Sequence, residues 1–236
     1  MLFRQEKAIE RIRSSIYIFN RKSDQRSLKT MKRKNVNYLL LAVFVLLLAT
    51  GSGAEAKGIF GGTDLINTPT NRALAQGGYT LGAHIDEHGH GRIQLDFGLV
   101  PEFELGAALD LGKDYHDLSA RFKYRLIPET KDNFGLALGI QDIGKEHFSP
   151  YVVIGHVLSP YNLRWNFGLG GGQLGGIFFG MSKVLNPSEF PQVTLTGEYD
   201  ASGLNLGAKI NLNKGLLLNV GVLDMDHFVV GLTLSN

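Results

Sequence analysis

The chain has 236 residues, no Cys, 30 Gly and 19% charged residues. That length is compatible with one large β domain or two small ones, and the lack of thiols excludes a disulfide framework and any Cys-based metal centre. The net charge of +2 is unevenly spread: residues 1–56 hold 11 Lys/Arg against 4 Asp/Glu (+7) and residues 57–236 hold 13 against 18 (−5), so nucleic-acid binding loses its electrostatic basis outside the leader.

Residues 1–30 precede a complete signal-peptide pattern and read as a start-site artefact or an extended n-region without a fold of its own. Residues 31–56 are that pattern. Lys32, Arg33 and Lys34 form the basic n-region, Tyr38–Leu48 is an unbroken apolar run of 11 residues, and Ala54-Glu55-Ala56 is an A-x-A-like cleavage site. The run is shorter than the roughly 20 residues of a spanning helix. An uncleaved anchor is the alternative, and no Cys follows the run to carry a lipid. Residues 57–77 then form an entry segment. Pro69 imposes an extended shape on Asn67-Thr68. Thr70 is expected to cap a short turn through "NRALAQ", with Gly77-Gly78 breaking it before the first strand. One expectation is that this segment folds under or into a barrel mouth as a plug.

From residue 78 to residue 236 the apolar period is two, the period of a strand. "LSARFKYRL" is the clearest case, with Leu118, Ala120, Phe122, Tyr124 and Leu126 alternating with Ser119, Arg121, Lys123 and Arg125. "YVVIGHVL" and "IFFGMSKV" have less distinct faces. The spacing predicts twelve strands near 78–86, 92–100, 103–111, 117–126, 133–141, 150–158, 163–170, 176–184, 192–199, 203–212, 216–223 and 227–235. Their links carry turn residues such as Pro101-Glu102 and Asn213-Lys214-Gly215 and are hairpin-short, which makes neighbouring strands antiparallel.

Alternation alone does not separate a soluble barrel from a membrane barrel. Four features favour the membrane form. The strands match the length of a tilted bilayer crossing, and twelve is even. The polar face is rich in Gly, which relieves crowding inside a barrel. Aromatics such as Tyr79, Phe103, Trp165 and Phe228 lie near strand ends, as in an interfacial girdle. The fold expected is an all-β, antiparallel, up-and-down transmembrane β-barrel of about 12 strands behind a signal peptide, in contact with outer-membrane lipid. A secreted soluble β-barrel binding protein is the alternative fold reading.

The lumen face of strand four would then carry a basic stripe, Arg121, Lys123 and Arg125. It could attract an anionic solute or polysaccharide. The favoured reading is pairing with Asp96, Glu104 and Asp110 on neighbouring strands, where opposite charges come within reach. The odd-numbered links gather His88, His90, His116, His147 and His227 with many carboxylates on one rim. His88 and His90 are the candidate imidazole ligands if that rim binds a divalent metal, although no ligand spacing such as H-E-x-x-H supports it and a solvated loop face is the alternative. There is no G-x-S-x-G, and "GLGGGQLGG" lacks the Lys-Ser/Thr and helix of a phosphate loop, so it reads as a flexible hairpin link. No enzyme activity and no cofactor are expected.

The stretch "GGTDLINTPTNRALAQGGYTLG" resembles the start of the YjbH-type barrel domain of bacterial exopolysaccharide gene clusters. Gly62, Leu65, Ile66, Thr68, Pro69 and Thr70 fit its "G-x-x-(D/G)-L-I-x-T-P-(T/S)" element. A second echo is "EYDASGLNLGAKINL", where Glu198, Tyr199, Asp200, Asn205, Leu206 and Gly207 match a family-like strand pair. Better-known members are larger, with additional domains, and outer-membrane barrels usually end in an aromatic residue where this chain ends in Asn236. The resemblance implies a non-enzymatic outer-membrane barrel that assists exopolysaccharide production, export or surface attachment. Its implied partners are the exopolysaccharide or its export machinery and the barrel-assembly machinery, and it supplies no catalytic residues. A general small porin or structural barrel is the runner-up.

Overall fold

Alternating sequences need a partner for every strand edge, and in the computed structural model every edge has one. The structure describes residues 60, 62–113, 115–185, 188 and 191–236; the start-site and signal-peptide readings for residues 1–56 lie outside the described residues. Twelve strands run in chain order: β1 (Tyr79–Asp86), β2 (Gly91–Val100), β3 (Phe103–Leu111), β4 (His116–Ile127), β5 (Gly135–Ile143), β6 (Ser149–Leu158), β7 (Leu163–Gly170), β8 (Gly176–Val184), β9 (Val193–Tyr199), β10 (Leu204–Asn213), β11 (Leu216–Leu223) and β12 (His227–Ser235). Each pairs antiparallel with its sequence neighbours, and β1 closes on β12 from Thr80↔Ser235 to Asp86↔Val229. Closure leaves no free edge, the liability that an open sheet of this size would carry. The predicted strands agree in number and pairing, with ends within two residues.

The faces are inverted relative to a soluble barrel. Leu118 is 68% exposed, Tyr199 57% and Leu95 48%, and exposed large apolar residues of this kind stand on the outward face of eleven of the twelve strands. Inward positions are polar and buried: Thr80, Gln94, Asp96, Glu104, Lys123, Asn166, Glu198, Lys209, Asn219 and Thr233. Only a hydrocarbon exterior favours that arrangement, since exposed apolar area on this scale is unfavourable in water. Among the described residues no helix is long and apolar enough to cross a membrane; the crossing is by strands.

One sector of the lumen departs from the polar pattern. Ala137 (β5), Tyr151 and Val153 (β6) and Phe178 (β8) point inward and form an apolar cluster with Leu174. Leu174 belongs to a 3-10 turn, Gly172–Leu174, in the β7–β8 link. That link, expected to be a flexible connection, instead inserts its one large apolar side chain into the barrel. This accounts for the two strands with indistinct faces: beside their lipid-facing side, β6 and β8 carry inward Tyr151, Val153 and Phe178 that meet Leu174. At the opposite rim the last residue ties the barrel's ends together: the Tyr79 N–H donates to Asn236 Oδ1 at 2.7 Å and Asn236 Nδ2 donates to the Gly77 carbonyl at 3.3 Å.

Candidate functional site: the occupied lumen

Residues 62–74, which precede β1, lie inside the barrel. Thr63, Asp64, Leu65, Ile66, Thr68, Thr70, Asn71, Ala73 and Leu74 are all buried, with almost no secondary structure to satisfy their backbone. Buried backbone donors need partners, and the barrel wall provides them. On β9 the Glu198 carboxylate accepts from the N–H groups of Ile66 (2.9 Å), Asn67 (2.7 Å) and Thr68 (3.1 Å) and from the Thr68 hydroxyl (2.7 Å). On β3 the Glu104 carboxylate accepts from the Leu74 N–H at 2.9 Å. On β6 and β7, Asn71 donates to the Gly155 carbonyl and its N–H meets Asn166 Oδ1. The segment is therefore held on several sides of the lumen.

Its own shape is set by short-range bonds. The Leu65 N–H donates to the Thr68 carbonyl, closing a tight turn whose N–H groups face Glu198. Pro69 follows and ends the turn. The Thr70 hydroxyl donates to the Thr63 carbonyl and accepts from the Arg72 N–H, so the expected cap is present, but residues 71–75 run without helix. Their backbone is bound to the wall instead. Gly62 is left-handed (φ +58°) and its N–H donates to the Thr80 hydroxyl.

The charged side of the lumen closes around the same segment. Arg121 pairs with Asp96 at 2.5 Å and with Asp64, and Lys123 pairs with Asp64 at 2.6 Å. Glu104 lies 3.9 Å from Arg121 and 3.8 Å from Lys123. Register explains part of this, since Glu104 stands opposite Lys123 and Asp96 opposite Gly106, itself opposite Arg121. Two sequence assignments need correction. Asp110 does not pair with the basic stripe: register sets it opposite Arg92 and Asp117, and it binds Arg92 (3.1 Å) and Lys145 (2.8 Å). Arg125 sits apart from the cluster, paired with Glu102 in the β2–β3 turn. The partner that strand reasoning missed is Asp64, because a residue outside the sheet has no register from which to place it.

The two family-like motifs meet here. Asn205 on β10 donates from Nδ2 to Glu198 (3.0 Å) and to Asp200 (3.1 Å), and its Oδ1 accepts from the Asp224 N–H. Asn205 and Asp200 thus orient the carboxylate that grips Ile66, Asn67 and Thr68. Leu65 packs against Gly180, where a Cβ would lie 2.1 Å from Leu65 Cδ1. Tyr199, by contrast, faces outward, and Gly207 stands in the β9–β10 register opposite Thr196.

Above the segment a cavity of about 230 Å³ is floored by Asp64, Ile66 and Asn67. Arg92, Gln94, Ser119, Arg121, Gln141 and Asp142 line its walls, together with Lys145, Gln173, Asp200 and Ser202 of the odd-numbered links. At the odd-link rim His90 is engaged by Asp86 through both its N–H and its ring (2.8 and 2.9 Å), while His88 lies beside Glu87 and His227.

The barrel is similar to solved outer-membrane proteins. It matches a KdgM porin at 11% identity with a TM-score of 0.51, over 67% of this chain and 99% of that one. It also matches the outer membrane protein Omp33 of Acinetobacter baumannii at 10% identity with a TM-score of 0.45, over 68% of this chain and 97% of that one. No curated protein sequence matches the chain. The model of the family described as "Exopolysaccharide biosynthesis protein YbjH" matches residues 56–202, which include the entry segment, β1 to β9 and Glu198. By that match over more than half its length, the chain belongs to the YjbH family.

Proposed function

We propose that this protein is a non-enzymatic outer-membrane barrel that assists exopolysaccharide production, export or surface attachment, and that residues 62–77 act as a plug in its lumen. Family membership supports the polysaccharide role. The observation that carries the plug is the Glu198 carboxylate, which holds three backbone N–H groups and one hydroxyl of the segment inside the barrel. A lumen filled in this way suits a surface receptor or a gated conduit better than a constitutively open porin. The cavity above the plug is lined mainly by amides, hydroxyls and charged groups, with Phe60, Ile66 and Leu174 beside them, and a hydroxyl-rich saccharide unit is the ligand class that such a wall can hydrogen-bond. In this reading the chain reaches the outer membrane by signal-peptide export and handover to the barrel-assembly machinery.

Deleting the gene tests the role. Loss of cell-bound or secreted exopolysaccharide, restored by the wild-type gene, is the expected result. Unchanged polysaccharide in the deletion strain would overturn it and favour the general porin reading, for which the likeness to a porin fold is the supporting observation.

A further inference from the structure

The β1–β2 and β11–β12 hairpins are the links that flank the closure seam. At their tips the seam brings together residues that stand about 140 positions apart. The Glu87 N–H donates to the Phe228 carbonyl at 3.2 Å, which fixes the two tips against each other. Glu87 Oε1 lies 3.2 Å from His88 Nδ1 and 3.1 Å from His227 Nδ1. One ligand atom from each of the three residues lies within 4.8 Å of the other two. The His88 and His227 rings meet edge to face at 5.5 Å between centroids.

We propose that Glu87, His88 and His227 form a binding site for a zinc-class divalent cation across the barrel seam. Metal–nitrogen and metal–oxygen bonds of about 2.0–2.2 Å in a tetrahedron set ligand atoms roughly 3.3–3.6 Å apart. Two of the three edges are already close to that length, and the third closes by side-chain rotation. Two imidazoles with one carboxylate are the donor set of zinc, copper or nickel, whereas calcium and magnesium take all-oxygen shells. Glu87, His88 and His227 have side chains 35%, 56% and 46% exposed, so an ion can reach them and a fourth position stays open to water. His90 takes no part, because Asp86 holds it. Bound metal would tie the first hairpin to the last at the point where the barrel closes.

The test is calorimetric titration of zinc into the full chain folded in detergent, with thermal unfolding alongside. Zinc is expected to bind and to raise the melting temperature, as any ligand of the folded state does. His88→Ala and His227→Ala each weaken binding about tenfold or more, His90→Ala leaves it unchanged, and calcium and magnesium have no effect at matched concentration. Heat-modifiable gel migration reports whether each variant has folded, and these rim side chains lie outside the lumen packing. Absence of zinc binding to the folded wild type would overturn the proposal. So would binding that survives both His88→Ala and His227→Ala, or that is lost on His90→Ala alone.

Discussion

Glu198 shows how one side chain can hold a whole segment. Its two oxygens serve Ile66, Asn67, Thr68 and Asn205, and bonds to a charged acceptor are stronger than neutral ones. Glu198→Ala strands several buried donors at roughly 1–3 kcal/mol each, partly relieved as water follows the loosened turn. We expect a loss of about 3 kcal/mol in equilibrium unfolding and faster hydrogen exchange at the amides of residues 66–68. Slow exchange there in the variant would show that the turn does not depend on Glu198. In sequence, Glu198 stood out as part of a family-like strand motif but without a role. Its task needs the entry segment at its side, and nothing local in either stretch announces the other. Glu104 is a similar case. It was legible as a cation partner on a neighbouring strand, while its bond to the Leu74 N–H was not.

The element that decides the state of the lumen is the entry segment. Gly98 on β2 marks its closest approach to the wall: a Cβ there would lie 2.0 Å from the Ala75 carbonyl oxygen. The Gly77 N–H donates to the Gly98 carbonyl and the Gly98 N–H to the Gly78 carbonyl, each at 2.8 Å. Gly98→Ala must push backbone away from backbone, at a cost of about 1–3 kcal/mol. The expected readout is faster exchange at Leu74 and Gly77 with an unchanged β-sheet circular dichroism spectrum. Removing residues 62–75 altogether should raise single-channel conductance in planar bilayers. Equal conductance before and after would count against a plug. The strands themselves were readable because alternation fixes both element type and facing. The β7–β8 link was not: Leu174 fills a space shaped by β5, β6 and β8 at once, and its Gly-rich surroundings gave only the signal of a turn.

For the whole molecule, the outward apolar face sets the solvent. Leu95 sits mid-strand on β2 and faces out. Leu95→Arg places a charge against hydrocarbon, and about 2–4 kcal/mol is the expected cost near the bilayer midplane. Urea unfolding in lipid vesicles measures it, and a change near zero would mean that Leu95 does not face lipid. The intact protein should stay in the detergent-soluble membrane fraction and migrate differently on gels before and after heating. Recovery in the soluble fraction would restore the secreted-barrel alternative.

The sequence by itself determined the class of fold, the number of strands and, for most of them, which face meets lipid, because a period of two and short turn-rich links act over a few residues. It also marked the two stretches that carry the family resemblance. Only the tertiary structure decided that these stretches touch, that Asp64 rather than Asp110 completes the charge cluster, and that Glu87 and His227 rather than His90 bring ligand atoms within reach of those of His88. All three depend on closing the sheet. Closure brings β1 to β12 and encloses the entry segment, and contacts made across an enclosed space leave no trace in local spacing.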